Sequence, residues 1–507
     1  MVVSRLPNSP PLWTAPEVAE AVDGKIMKWG KPGSISTDTR TLRPGQWFLP
    51  LVGQNFDAHT FITPQLSAKG PLGVIGNRVC ENWDLGFVQV NGSTSDALRK
   101  LAIFARNRFN GCLIGLTGSV GKTTTRAMVA LALESVGSVH QSPGNWNNEI
   151  GVALSLVGMP RDAAFGVLEL GMSKKGEILE LARVYRPNVR VILNVGAAHL
   201  ENFSSLVEVS TAKGEILRDA RPGDVCVLNA DDPLVMSLPL PSGVKKVLFG
   251  RRRSSDVRLV SVQSIEGGHK VEVILESDKE KVKFVLSSPG QHLALNACAA
   301  AAVATSMGIP LSLVGKSLSE FVPVQGRSDL EVAANGMKII NDVYNANPVS
   351  TRCAIDTLRA INCCGKRVAI LGDMLELGPT EIKLHELILL HCLDSCVDLI
   401  ALVGKRFMMA ADNLKFAQEV NLVCAYDSES LAPKILEYLH CDDVVLVKGS
   451  RGMEMEKVVH VIKSYSLQPL LKSGTDAKLT HITEKGRSTI NALANDARCS
   501  KQQEDAS

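Results

Sequence analysis

No apolar run in this chain of 507 residues approaches the ~18 to 20 residues that a membrane-spanning helix needs, so an integral helical membrane protein is excluded. A surplus of one charge sign is also lacking. The 55 Lys+Arg against 52 Asp+Glu leave +3, interspersed along the chain, without the field that drives polynucleotide binding. No nucleic-acid and no membrane partner is expected. The 12 cysteines never adopt the CxxC spacing of a zinc or redox site, and several lie in apolar segments, so they read as reduced, buried thiols. Residues 1–11 carry one Arg, three Pro and no apolar core, unlike a secretory or transit leader. The expectation is a monomer in a reducing compartment, the cytoplasm, with a plastid stroma as the alternative.

What is present is enough for several cores: the chain is 45% hydrophobic, and ~150 residues per domain suggests about three domains. From Trp13 to about Phe109, short apolar runs at 47–52, 72–75 and 87–90 alternate with Gly, Pro and Asn turns and end in a helical stretch at 95–108. From Cys112 the pattern becomes strand then helix, with strands at 112–117, 164–170, 189–195 and 225–229. That alternation implies a parallel sheet covered by helices. Runs at 271–275 and 282–286 suggest an antiparallel hairpin, followed by an Ala-rich helix at 292–307 and a linker at 323–327. A third α/β unit has strands near 337–341, 367–371, 399–403 and 444–447, an order that suits a Rossmann-like domain. The fold class is therefore α/β in three domains, 1–111, 112–325 and 326–465, with 466–507 a polar tail expected to be disordered.

Gly115-Leu-Thr-Gly-Ser-Val-Gly-Lys-Thr-Thr-Thr125 leaves an apolar strand and enters a helix, the order a phosphate-binding loop requires. Glycines let backbone amides turn around phosphate oxygens, Lys122 can reach the β and γ phosphates, and Thr123 can ligate Mg²⁺. Five residues separate Gly115 from Gly121, where the common loop has four, with Gly118 inserted. Glu169 ends a strand at the carboxyl edge of the same sheet, where ligands of parallel sheets collect, and is the natural second Mg²⁺ anchor. His199 follows the next strand by the same logic. Lys213 alone reads as a solvated cation or a partner of Glu215. Asp342-Val-Tyr-Asn-Ala-Asn-Pro348 closes a strand and opens a helix, so Asn347 is either an N-cap before proline or part of a nucleotide contact.

These segments, with Gly144-Asn-Trp-Asn-Asn-Glu-Ile-Gly151, Glu169-Leu-Gly171, Asn194–Leu200, Ala212-Lys-Gly-Glu215, Leu371-Gly-Asp-Met-Leu-Glu-Leu-Gly378 and Lys448-Gly-Ser-Arg451, resemble the Mur ligases from about Trp13 to Ile462. Within the family they are most similar to the D-alanyl-D-alanine-adding branch. The resemblance implies an ATP-dependent amide ligase that joins D-alanyl-D-alanine to UDP-N-acetylmuramoyl-tripeptide through an acyl phosphate. It implies ATP and Mg²⁺ as cofactors, with Gly118, Ser119, Gly121, Lys122, Thr123 and Thr124 around the phosphates. Asn296, Asp342, Asn345 and Asn347 would contact adenine and ribose, and Arg327 the phosphates. Thr123, Glu169, His199 and Lys213, the last as a carbamate formed with CO₂, would hold metal, making Lys122, Lys213 and His199 the catalytic set. Asp38, Thr39 and Arg40 would contact the UDP-sugar, and Asn147 and Asn148 the substrate. Pro50, Val52 and Ala58 depart from the family pattern in the UDP-sugar domain. The competing readings are a related Mur or folylpolyglutamate-type ligase and a non-catalytic nucleotide-binding scaffold.

Overall fold

Short Val-, Ile- and Leu-rich runs bounded by Gly and Pro form three separate sheets in the computed structural model, which describes residues 12–53, 55–198, 200–416 and 421–465. The first sheet runs Lys25–Lys28, Gly86–Gln89, Gly73–Gly76, Gln46–Phe48, Ser34–Ser36 in space, parallel except for the Lys25–Lys28 edge. Helix Thr94–Arg108 follows it, capped by the Ser93 side chain accepting from Asp96 N–H. It packs on helices Glu149–Val157 and Glu177–Tyr185 of the next unit. Buried Trp13 donates its indole N–H to the Val157 carbonyl at 3.1 Å, and the Arg108 guanidinium lies 3.8 Å over its ring. One hydrophobic core therefore runs from Trp13, Leu98 and Leu101 into Leu113, Leu156 and Leu168.

The second sheet has nine strands: Lys281–Leu286, Lys270–Ser277, Val257–Ile265, Lys245–Gly250, Val225–Asn229, Val189–Ile192, Cys112–Thr117, Phe165–Glu169, Val139–Gln141. Strands run parallel from Val257–Ile265 to Val139–Gln141, and the remaining two form the expected antiparallel hairpin. Helix Leu293–Ser306 is alanine-rich because it is buried on almost every side against helix Lys122–Glu134 and the sheet. The third sheet runs Asp329–Val332, Lys338–Asp342, Val444–Lys448, Arg367–Gly372, Leu399–Val403, Asn421–Ala425, parallel except for its first edge strand, and has separate cores on its two faces. Both edge strands escaped the sequence reading.

Among the described residues no helix is long and apolar enough to cross a membrane. Cys226, Cys298 and Cys392 are buried free thiols, but Cys364 and Cys396 are exposed, so burial holds for only part of the set. The tail expected at 466–507 lies outside the described residues.

His140, in strand Val139–Gln141, hydrogen-bonds the Ser155 carbonyl through Nε2 at 2.9 Å, and burial pushes its imidazole from 6.5 down to about 4. The unfolded chain then takes up a proton that the folded chain refuses between pH 6.5 and 4. Stability is expected to fall as pH drops through that window, by about 3 kcal/mol at most. His140→Gln, which can still donate to Ser155, should flatten that part of a urea-denaturation pH profile; an unchanged profile would discard the assignment.

Candidate active site

Gly118–Gly121 connects strand Cys112–Thr117 to helix Lys122–Glu134. Gly121 has φ +82°, and a Cβ there would lie 2.7 Å from Asn296 Oδ1, so both its backbone and its neighbour demand glycine. Asn194 clamps the loop: its Oδ1 accepts from Ser119 N (3.1 Å) and Val120 N (2.9 Å), and its Nδ2 donates to the Val120 carbonyl (3.1 Å). The Ser119 hydroxyl accepts from Gly196 N at 2.8 Å. Lys122 Nζ donates to the Gly118 carbonyl at 2.7 Å. Burial holds the Lys122 ammonium below the usual lysine range, opposed by the charge of Glu169 and reinforced by that of Arg327. The sequence treated Asn194 only as part of a motif; its role as the clamp emerges from the pairing of two adjacent strand ends.

Glu169 ends strand Phe165–Glu169 and is 1% exposed, with Arg126 Nη1 2.9 Å from its Oε1. Arg126 also donates to the Gly144 carbonyl at 2.8 Å. Sequence reasoning missed Arg126, which neutralises the carboxylate read as a metal anchor. The pair is buried on both sides, so removing either partner would strand a charge.

Lys213 lies on helix Leu206–Arg218, 2% exposed, in no ion pair among the described residues. Burial and the nearby charge of Lys122 push its amine well below the lysine range. The local pairing with Glu215 is not formed. Residues two apart on a helix do not face each other, and Glu215 instead accepts from Gly176 N (2.8 Å) and Leu179 N (3.2 Å) at the start of helix Glu177–Tyr185.

From the third sheet, Asp342 accepts from Lys448 Nζ at 2.7 Å and Ser328 N at 3.1 Å, and Lys448 also donates to the Asn345 carbonyl at 2.9 Å. Asn347 is the N-cap of helix Pro348–Ala360: its Oδ1 accepts from Ser350 N at 2.8 Å in a reciprocal capping box. The Arg327 guanidinium stacks 3.9 Å over the Tyr344 ring. Asn148 caps helix Glu149–Val157 through Gly151 N at 2.9 Å.

One cavity of about 660 Å³ between the carboxyl edges of the second and third sheets collects most of these groups. Ser119, Gly121, Lys122, Thr123, Thr124, Asn147, Asn148, Glu169 and Lys213 line it from the central side. Asn296, Arg327, Asp342, Asn345 and Asn347 complete the wall, together with His292, which the sequence did not single out. Gly118 does not line the cavity and acts through its carbonyl on Lys122. Asp38, Thr39 and Arg40 lie elsewhere, in the first unit, where the Arg40 guanidinium beside Asp38 holds that carboxyl down at about 2. His199 falls outside the described residues.

The Mur ligase middle-domain profile matches residues 116–304, and the profile "Mur ligase, glutamate ligase domain" matches 326–451. The UDP-N-acetylmuramoyl-tripeptide--D-alanyl-D-alanine ligase of Bacillus subtilis (strain 168) is 33% identical over 453 residues, 88% of this chain and 97% of that protein. The crystal structure of MurF from Acinetobacter baumannii superposes with a TM-score of 0.80 at 28% identity, over 90% of this chain and 99% of that one. The MurF ligase of Thermotoga maritima in complex with ADP has a TM-score of 0.74 at 27% identity, over 86% and 98% of the two chains.

Proposed function

The chain belongs to the Mur ligase family, and we propose that it joins D-alanyl-D-alanine to UDP-N-acetylmuramoyl-tripeptide with ATP, in peptidoglycan precursor synthesis. The observation that carries this reading is the shared cavity in which the phosphate loop, Glu169 and Lys213 face Arg327 and Asn345 of the third sheet's unit. Residues 112–325 then bind ATP, 326–465 close over it, and 1–111 hold the UDP-sugar through Asp38, Thr39 and Arg40.

A carboxylate is a poor electrophile because it has no leaving group. The terminal carboxylate of the tripeptide attacks the γ-phosphorus, the bond to ADP breaks, and an acyl phosphate results. Lys122 offsets charge on the transferring oxygens, and Arg327 adds a second cation from across the cavity. The amine of D-alanyl-D-alanine then attacks the acyl carbon, phosphate leaves with the C–O electrons, and the amine loses a proton. Asn147 and Asn148 offer amides to the peptide backbone. Enclosure between two sheet edges excludes water that would hydrolyse the acyl phosphate.

Thr123 and Glu169 bring a hydroxyl and a carboxylate to the loop, oxygens of the type Mg²⁺ selects. Among the described residues no group of three or more His, Cys, Asp and Glu is gathered that could hold a metal. Thr123, Glu169, His199 and a carbamylated Lys213 would be the protein's contributors to such an ion. When bound, Mg²⁺ would neutralise phosphoryl charge.

The test is ADP release from the purified enzyme with UDP-N-acetylmuramoyl-tripeptide and ATP. Release is expected only when D-alanyl-D-alanine is also present. Release with diaminopimelate or glutamate in place of the dipeptide would select another ligase of the group, and no amine-dependent release would select a nucleotide-binding scaffold.

A further inference from the structure

A second cavity, of about 470 Å³, lies at the opposite edge of the central sheet, where its strands begin. Strand Cys112–Thr117, of 6 residues at about 3.3 Å each, puts roughly 20 Å between the two edges. Five arginines border this space: Arg106 from helix Thr94–Arg108, Arg183 from helix Glu177–Tyr185, Arg186 and Arg190 from the chain that follows it, and Arg221. Asp219 and Asp224 are the carboxylates among its lining residues, and both are engaged. Asp224 accepts from Arg190 Nη1 at 2.5 Å and from Arg221 N at 2.8 Å, while Asp219 lies 3.3 Å from Arg183 Nε.

Three guanidinium groups are left without a carboxylate among the described residues. Arg106 donates only to the carbonyls of Tyr185 (2.8 Å), Arg186 (3.0 Å) and Phe109 (3.4 Å). Arg186 donates to the Asn107 side-chain oxygen, and the Arg221 side chain has no partner among the described residues. Arg190, 2% exposed, buries its Nε without an acceptor among the described residues. Such an atom is costly to desolvate unless something accepts from it. Burial and mutual repulsion hold Arg106 and Arg186 below the usual guanidinium range. Clustered cations with spare planar donors and an unsatisfied buried N–H favour an oxyanion that accepts several N–H bonds at once.

We propose that this cavity binds a small phosphate-type polyanion, at a site separate from the nucleotide loop and located where helix Thr94–Arg108 meets the central sheet. The ligand bridges Arg106 on the helix of the first unit to Arg186 and Arg221 on two turns of the second, so it fastens the two together. This inference does not depend on the ligase assignment.

The probe is inorganic pyrophosphate, titrated calorimetrically into the full-length protein after the phosphate loop has been saturated with ADP, at constant ionic strength. One pyrophosphate per chain is expected to bind in the presence of ADP, at least tenfold more tightly than citrate. In Arg186→Gln/Arg221→Gln its affinity should fall at least tenfold, with ADP affinity unchanged. Arg221→Gln alone, which removes a side chain without partners among the described residues, should still lose at least threefold and keeps the test usable if the double variant folds poorly. Pyrophosphate binding that ADP abolishes, citrate binding of equal strength, or unaltered affinity in the variants would each overturn the proposal.

Discussion

Lys213→Ala is expected to lower turnover by about a hundredfold or more while ADP still binds with near-normal affinity, and Lys213→Arg is expected to be no better. The reason is the charge the cavity can accept at that position. Lys213 is 2% exposed, and burial together with the charge of Lys122 pushes its amine well below the lysine range, the direction that favours the neutral form. A neutral amine adds to CO₂: the N–C bond forms, a proton leaves to solvent, and the uncharged amine becomes an anionic oxygen donor in the cavity that Glu169 also lines. Guanidinium stays cationic and cannot follow this route. Labelling with ¹³C-bicarbonate should give a carbamate resonance in the wild type that is absent from Lys213→Ala. Full activity in Lys213→Arg, or no such resonance, would return Lys213 to a buried amine without chemistry.

The second large effect is expected for Lys122→Ala, which should cut ADP formation by at least about a hundredfold with an unchanged far-UV circular dichroism spectrum. The two outcomes are separable because the loop is shaped by other groups. Asn194 holds Ser119 and Val120, Ser119 holds Gly196, and Gly121 sets the turn, whereas Lys122 contributes a single bond to the Gly118 carbonyl. Losing the ammonium therefore removes charge from the phosphate site without dismantling the loop. Turnover close to wild type would mean that Arg327 or another cation carries the phosphoryl charge and that the nucleotide assignment of Lys122 is wrong.

The parallel strands were legible because strands buried on both faces must be mostly β-branched and aliphatic residues, as in Leu399–Val403. Edge strands obey a weaker rule. Asp329–Val332 and Asn421–Ala425 are only partly buried, carry polar residues, and look like loops without their neighbours. The phosphate loop was readable because its chemistry is contiguous, and Glu169 because a strand end marks its position. Arg126 was not. A cation in the middle of a helix reads as solvated until the sheet brings Glu169 beside it from elsewhere in the chain. The error over Glu215 was avoidable, since helical geometry alone separates residues two apart. For Asn347 the proline after it pointed to the cap that the structure contains, and the same amide borders the cavity. The arginine cavity had no local signature, its members being drawn from 106 to 221.

The core that passes from Trp13, Leu98 and Leu101 into Leu156 and Leu168 sets which parts of this molecule can be exchanged by recombination. A splice near Phe109 would pair an apolar helix face with a foreign one and leave Trp13 without the Val157 carbonyl. Both halves would have to change together. A splice in the segment 323–327 cuts between cores that do not merge, since the third sheet fills both of its faces from its own residues. For recombination the chain therefore divides into two exchangeable cassettes, one on either side of 323–327, even though it folds around three sheets.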